Sequence, residues 1–170
     1  MPPEQVNVNF MLDALTRADW EQVREIYLQG IATGLATFET DAPPWERWDA
    51  SHHPFARIAV RGVDGQLLGW TALGPVSARF AYRGVAEHSI YIRETARGQG
   101  IGRALLTALL TESEVNGIWT VQTAIFALNA PSLALHRACG FREVGRRERI
   151  AQLHGVWHDT ILLERRSSKI

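Results

Sequence analysis

The sequence contains a single cysteine, Cys139, which excludes an intramolecular disulfide and a zinc site built from cysteine pairs. It also has no excess charge of either sign, because 18 Lys and Arg residues balance 18 Asp and Glu residues. That balance argues against a nucleic-acid partner bound through an overall positive field. No apolar run is long enough to cross a bilayer, and residues 1–10 lack the basic-then-apolar order of a signal peptide. We therefore expect a cytoplasmic protein with neither a nucleic-acid nor a membrane partner.

Apolar periodicity and turn signals predict helices and strands along the whole chain. We expect helices over 20–27, 45–50, 101–110 and 129–139, the first of them capped by Thr16 or Asp19. We expect strands around 8–12, 55–61, 67–73, 87–92, 119–126, 142–153 and 156–164, with turns at 63–66 and 154–155. This order predicts one mixed α/β domain over residues 1–170.

A glycine-rich turn, Arg-Gly-Gln-Gly-Ile-Gly at 97–102, precedes the third predicted helix. Glycines let a ligand approach the main chain closely, and the first amides of a helix lack internal partners. With the helix dipole, these amides form a cradle for a pyrophosphate, flanked by Arg97 and Arg103. A plain strand-to-helix connection is the alternative interpretation. A dinucleotide-binding turn fits poorly, because its third glycine would fall at Arg103, and no P-loop pattern occurs.

The segment Arg97-x-x-Gly100-x-Gly102, after the strand that begins at Glu87, resembles the acetyl-CoA pyrophosphate loop of GNAT acetyltransferases. This resemblance implies a GNAT fold, with a mostly antiparallel sheet of about six to seven strands, splayed in the middle, and about four flanking helices. It implies acetyl-CoA as the cosubstrate. Cofactor-binding residues implied by the resemblance are Ile90, Tyr91, Ile92, Arg97, Gly98, Gln99, Gly100, Ile101, Gly102, Arg103, Asn129 and Ser132.

Several segments resemble a narrower branch, the phosphinothricin and methionine sulfoximine acetyltransferases. They are Ala-Thr-Phe-Glu at 36–39, residues 79–92, the Leu-His before Gly-Phe at 135–141, and residues 154–159. The resemblance extends over about residues 8–164. It implies a homodimer with aromatic loops near the partner's pocket. Leu153 departs from the branch, several members of which have a Lys at that position.

Two side chains are candidates for acid–base chemistry. Glu87 lies in an apolar stretch, where burial would raise its pKa and suit it to accept a proton from an ammonium. Its alternative is a carboxylate on a strand that faces water. His136 stands where many GNAT members have a proton-donating Tyr, although it can equally be a polar residue on a helix face. No enzyme nucleophile is needed, and we expect Cys139 to pack in the core.

The candidate acceptor-binding residues are Phe38, Glu39, Arg79, Tyr82 and Arg83. Arginine can grip a carboxylate in two places, and Glu39 can attract an ammonium. A solvated loop is the alternative for the two arginines. We therefore expect an enzyme that acetylates the amine of a small amino-acid analogue. Acetylation of a protein or peptide and a non-catalytic acyl-CoA sensor are the alternatives. We expect no metal, because His154 and His158 have no further ligand pattern around them.

Overall fold

The computed structural model describes residues 9–170, which contain seven strands in one sheet. The strands are β1 (Phe10–Ala14), β2 (Ile58–Gly62), β3 (Leu67–Pro75), β4 (Val85–Ile92), β5 (Thr120–Phe126), β6 (Arg142–Leu153) and β7 (Val156–Arg166). The helices are α1 (Trp20–Ala32), α2 (Trp45–Ser51), α3 (Ile101–Val115) and α4 (Ala130–Ala138). The predicted mixed α/β fold, with its strand and helix numbers, is confirmed.

The sheet has the order β1-β2-β3-β4-β5-β7-β6, and every pair except β4–β5 is antiparallel. The parallel pair is short, because β4 bonds to β5 only over residues 85–87 and 120–122. Beyond Glu87, β4 stays with β3 while β5 continues along β7. The predicted splay in the middle of the sheet is therefore present, and it begins one residue after Glu87.

Gly84 joins β4 to β5 at the start of their parallel pairing, at the end away from the splay. Its carbonyl accepts hydrogen bonds from the amides of Trp119 and Thr120, at 2.8 and 3.0 Å. A Cβ at Gly84 would lie 2.0 Å from the Trp119 ring, so only glycine fits there without a shift of the indole. The close packing at this corner holds the beginnings of the two strands together.

The two faces of the sheet carry separate cores. Helix α3 covers one face with Leu105, Leu106 and Leu109, while α1 and α2 cover the other around Trp48 and Trp70. Successive residues of a strand point to opposite faces. In β4 this alternation sends His88, Ile90 and Ile92 toward α3 and α4, and Tyr91 toward α1.

Some predicted boundaries differ from the structure. Strand β2 starts at Ile58 rather than residue 55, because Ala56 has a positive φ of 54° and Arg57 bonds back to the carbonyls of His52 and His53. Val8, in the predicted first strand, lies outside the described residues. Asp19 is the N-cap residue of α1 but makes no side-chain capping bond to that helix. Thr16 and Asp19 instead cap the short 3-10 turn Arg17–Asp19 before it, where the Thr16 amide donates to the Asp19 carboxylate at 2.8 Å. Over residues 9–170, no helix has the length and apolar character needed to span a membrane.

Candidate active site

Two adjoining cavities occupy the splay of the sheet. The first, which we call the groove, has a volume of about 510 Å³ and is lined by the end of β4, the turn at 96–103 and the start of α4. The second, the polar cavity, measures about 310 Å³ and is lined by residues 36–39, 87–91 and 123–126, with Ser132, His136 and Thr160. Both cavities share Ala36, Ile90, Tyr91, Asn129 and Ser132. A ligand extended along the groove therefore reaches the polar cavity.

The glycine turn forms one end of the groove. Gly98 and Gly100 have φ values of +75° and +81°, a left-handed conformation that favours glycine. A Cβ at either position would meet no heavy atom of the described residues within 4 Å, so the space beside the main chain is open. The first amides of α3 have no partner within the helix and carry its positive dipole end. These features fit the pyrophosphate of coenzyme A.

The two arginines that flank this turn line the groove, whereas Gln99, within the turn, does not. Arg97 and Arg103 both line the groove, and the Arg97 Nε donates to the Ile92 carbonyl at 3.4 Å. Gln99 is not among the lining residues, and its side chain donates to the Thr95 carbonyl at 3.3 Å. Binding of the cofactor by Gln99 stays a prediction.

The end of β4 offers an open strand edge to the groove. Ile90, Tyr91 and Ile92 pair with β3 on one side but have no pairing with β5 on the other. Main-chain groups on that edge can bond an extended arm as a further strand would. The Tyr91 ring packs against Tyr27 and Trp70, with centroid distances of 4.7 and 5.1 Å. Burial raises the pKa of the Tyr91 hydroxyl above its usual range.

The start of α4 lies where the two cavities meet. The Asn129 Oδ1 accepts from the Ser132 amide at 3.3 Å, so the predicted helix cap is present. The Asn129 Nδ2 donates to the Leu35 carbonyl at 3.2 Å, which ties α4 to the loop after α1. Asn129 and Ser132 thus help to form the junction, and their contacts with the cofactor stay a prediction.

Glu87 is the last residue of β4 that pairs with β5, and it lines the polar cavity. The expectation that it is buried is wrong, because its side chain is exposed beside the opening of the sheet. It accepts a hydrogen bond from the Gln122 Nε2 at 3.2 Å. The case for Glu87 as a base therefore depends on its place at the cavity and not on desolvation.

His136 is almost fully buried at 1% exposure, and both of its ring nitrogens are engaged inside the protein. Its Nδ1 lies 2.7 Å from the Ser132 carbonyl oxygen, and its Nε2 lies 3.0 Å from the Nε2 of His88. Burial lowers the pKa of His136. His136 could donate or accept a proton in the reaction only if one of these two hydrogen bonds broke first.

His88 is a site residue that reasoning from the sequence missed. It lines the polar cavity at 4% exposure, and burial, reinforced by His136, holds its pKa well below the usual value. The alternation of β4 was the available signal, since His88 shares a face with Ile90 and Ile92. Its contact with His136, 48 residues away, depends on tertiary structure alone.

The predicted acceptor-binding residues divide into two groups. Phe38 and Glu39 line the polar cavity, where the Phe38 ring contacts Phe126 at a centroid distance of 4.5 Å. Arg79, Tyr82 and Arg83 do not line it, since they lie on or beside an exposed turn at 80–82.

Cation–π contacts order this turn. The Arg79 guanidinium lies 5.7 Å from the Tyr82 ring, and that of Arg83 lies 4.3 Å from the Phe80 ring. Leu153 is buried at the end of β6.

Metal-ligating side chains do not cluster in the part of the chain that the structure describes. There, no group of three His, Cys, Asp or Glu residues could hold a metal ion. His154 is exposed in the turn between β6 and β7, whereas the His158 ring stacks on Phe126 at 4.8 Å.

Known proteins are similar to this chain in both sequence and fold. A sequence model of the acetyltransferase (GNAT) family matches residues 18–141. Phosphinothricin N-acetyltransferase of Alcaligenes faecalis is 35% identical over 156 residues, which cover 86% of this chain and 77% of that protein. L-methionine sulfoximine/L-methionine sulfone acetyltransferase of Pseudomonas aeruginosa is 35% identical over 107 residues, which cover 63% of this chain and 62% of that protein.

A solved structure agrees with these relatives. The phosphinothricin acetyltransferase of Sinorhizobium meliloti in complex with AcCoA has a TM-score of 0.84 and 29% identity, and the match covers 92% of this chain and 88% of that one. The chain belongs to the GNAT family and is an acetyl-CoA-dependent N-acetyltransferase. Within that family it is similar to the phosphinothricin and methionine sulfoximine enzymes, as the sequence motifs predicted.

Proposed function

We propose that this enzyme acetylates the amino group of a small amino-acid-like acceptor, of the phosphinothricin, methionine sulfoximine or methionine sulfone type. The main support is the junction of the groove with a polar cavity of about 310 Å³. That volume suits a small molecule, whereas a peptide needs a longer open channel. The relatives named for acetylation of phosphinothricin and methionine sulfoximine support the same acceptor class.

When bound, acetyl-CoA supplies the thioester carbonyl and the thiol leaving group. In our proposal the amides at 98–103 hold its pyrophosphate, and the edge of β4 from Ile90 to Ile92 holds its pantetheine arm. Glu87 accepts a proton from the acceptor ammonium, directly or through water. Its place on the wall of the polar cavity, at the start of the splay, supports this role.

Transfer is direct in this proposal and needs no acyl-enzyme. Cys139, the one thiol in the chain, lines neither the groove nor the polar cavity. Burial also raises the pKa of the Cys139 thiol, which favours the unreactive protonated form. Both observations support attack by the acceptor amine itself on the thioester.

The acceptor's two charged ends need different partners. Glu39 and Glu87 line the polar cavity and suit an ammonium, but no Lys or Arg is among the described residues that line it. We propose that Arg79 and Arg83, with Tyr82, bind the carboxylate or phosphinate end from the turn at 80–82.

We also propose that two copies associate as a homodimer through aromatic loops. The exposed rings of that turn support this, since Phe80 is 78% exposed and Tyr82 is 46% exposed. We propose further that residues 1–170 form one catalytic domain and that the enzyme acts in the cytoplasm, where its single thiol would stay reduced.

A panel of acceptors tests the proposed substrate class. The enzyme is incubated with acetyl-CoA and methionine sulfone, methionine sulfoximine, phosphinothricin or short peptides, and released thiol is measured. We expect turnover of the three free amino-acid analogues and none of the peptides. Turnover of peptides alone would instead identify a peptide acetyltransferase. Binding of acetyl-CoA without turnover of any acceptor would identify a sensor.

A further inference from the structure

A hydrogen bond between two buried imidazoles joins β4 to α4 across the splay. His88 follows Glu87, the last β4 residue that pairs with β5. Its Nε2 lies 3.0 Å from the Nε2 of His136 in α4, and the two rings are nearly parallel, at 20°. The contact therefore bridges the two elements just beyond the point where strand pairing has ended.

The protonation of this pair follows from its partners. The His136 Nδ1 faces the Ser132 carbonyl oxygen at 2.7 Å, and because that oxygen can only accept, the Nδ1 must carry a proton. A neutral His136 then has a bare Nε2, so the proton in the 3.0 Å contact belongs to the Nε2 of His88. The buried His88 Nδ1 has no hydrogen bond of ordinary distance and angle among residues 9–170, and a weaker backbone interaction with Ser89 opposes the lowering of the His88 pKa by burial.

Within residues 9–170, no fixed charge acts on either imidazole of the pair. Phe141, at the start of β6, contacts both rings, with centroid distances of 5.6 and 5.2 Å. Of the titratable groups in the described part of the chain, His136 alone acts on the charge of His88. Glu87, the preceding residue of β4, points to the opposite face of the strand. Burial keeps both imidazoles neutral near pH 7, which preserves the donor and acceptor roles.

The hydrogen bonds that run from His88 through His136 end at Ser132, where the groove meets the polar cavity. The same His136 Nδ1 lies 3.4 Å from the Ser132 Oγ, and Ser132 lines both the groove and the polar cavity. Asn129 caps the same turn of α4. The distance between this turn and the β4 edge sets the width of the opening that acetyl-CoA must enter.

We propose that His88 is a positioning residue for acetyl transfer: its Nε2–H donates to His136 and holds the first turn of α4 at the working distance from β4. This role depends on the use of acetyl-CoA and not on which amine is the acceptor. His88 itself touches neither reactant in this proposal. Its effect is transmitted through His136 and Ser132.

Nitrogen NMR of the intact, histidine-labelled protein tests the bond without any measurement of activity. We expect a protonated Nε2 on His88, a bare Nε2 on His136 and a scalar coupling between these two nitrogens. A His88 that is protonated only on Nδ1, with no coupling to His136, would overturn the proposal. The result is independent of whether a suitable acceptor has been found.

Two variants at His88 separate positioning from packing. In His88→Gln the amide can still donate near the Nε2 position, so we expect kcat and the KM for acetyl-CoA to stay within about twofold of wild type. His88→Leu keeps the volume but removes the donor, and we expect the KM for acetyl-CoA to rise about tenfold. Equal effects of the two substitutions would contradict a role for the hydrogen bond.

Phe141→Leu is the matched control, because Phe141 packs on both rings without bonding to them. It should lower the melting temperature while leaving the KM for acetyl-CoA near that of wild type. A tenfold rise in KM for this variant too would assign the effect to packing and refute the proposal. If no acceptor is turned over, the dissociation constant of acetyl-CoA from calorimetric titration replaces KM. The role of His88 can then be tested even when the proposed acceptor class is wrong.

Discussion

At the scale of single residues, Glu87 combines a position fixed by the backbone with a side chain that remains in contact with water. Its main chain belongs to the short parallel pairing with β5, so the carboxylate lies at a constant place on the wall of the polar cavity. Gln122 orients it through a 3.2 Å hydrogen bond. From this position the carboxylate can accept a proton directly or through a bridging water.

Glu87→Gln tests this assignment, because the amide keeps the shape of the side chain but cannot take up a proton. We expect kcat to fall about a hundredfold or more, the usual contribution of a general base, with the affinity for acetyl-CoA unchanged. Steady-state kinetics and calorimetric titration measure the two quantities. Glu112→Gln, on the exposed side of α3 and outside both cavities, should leave both at wild-type values. Wild-type turnover in Glu87→Gln would remove Glu87 from the mechanism.

At the scale of elements, α3 begins at the groove and ends away from it, with a left-handed glycine at each end. Gly100 caps the first turn with φ of +81°, and Gly117 follows the last turn with φ of +79°. Neither would bring a Cβ within 4 Å of a described heavy atom. The two glycines therefore impose the same backbone requirement, but only Gly100 lines the groove.

Alanine at these two positions separates backbone strain from ligand contact. Both Gly100→Ala and Gly117→Ala should lower the free energy of unfolding by about 1 kcal/mol, because alanine resists the left-handed conformation. Only Gly100→Ala should weaken acetyl-CoA binding, by about tenfold, since its Cβ would enter the space beside the amides. Urea unfolding and calorimetric titration measure these effects. Equal acetyl-CoA affinities in the two variants would mean that the turn does not hold the cofactor.

At the scale of the whole molecule, buried imidazoles link stability to pH. The folded-state pKa values of His88 and His136 both lie below the ordinary value of 6.5, mainly because burial disfavours the charged rings. Below pH 6.5 the unfolded chain therefore binds more protons than the folded one, and stability falls as the pH is lowered. This contribution is fully present above pH 6.5 and is lost as the pH falls from there toward the folded-state pKa values.

We expect the free energy of unfolding to drop by about 1 kcal/mol or more between pH 7 and pH 5.5. Urea titrations at several pH values measure the slope. His52 and His53 also have lowered pKa values, because of burial, and contribute to the same slope. His88→Gln removes one of these rings, so the slope in this range should be smaller than in wild type. A wild-type stability that is flat or rises on acidification to pH 5.5 would show that these rings are not held neutral by the fold.

The sequence predicted most elements because they depend on local patterns. Helix α3 follows from leucines at helical spacing, the β6–β7 hairpin from His154-Gly155 between apolar runs, and the cofactor turn from its glycines. The glycines and the two arginines lie together at the groove because the turn is contiguous in sequence. The boundary error at β2 arose from Ala56 and Arg57, whose backbone and side-chain bonds leave no periodic signal.

The sequence by itself determined the class of fold, the anion cradle and the identity of the carboxylate at the end of the β4–β5 pairing, since each is encoded within a few neighbouring residues. Tertiary structure alone decided that Glu87 is exposed, that His88 meets His136, and that the turn at 80–82 stays outside the polar cavity. Each of these outcomes depends on how segments distant in sequence are placed relative to one another. The parallel pairing of β4 with β5 is anchored by packing between distant segments, such as Gly84 against Trp119, and not by any local propensity.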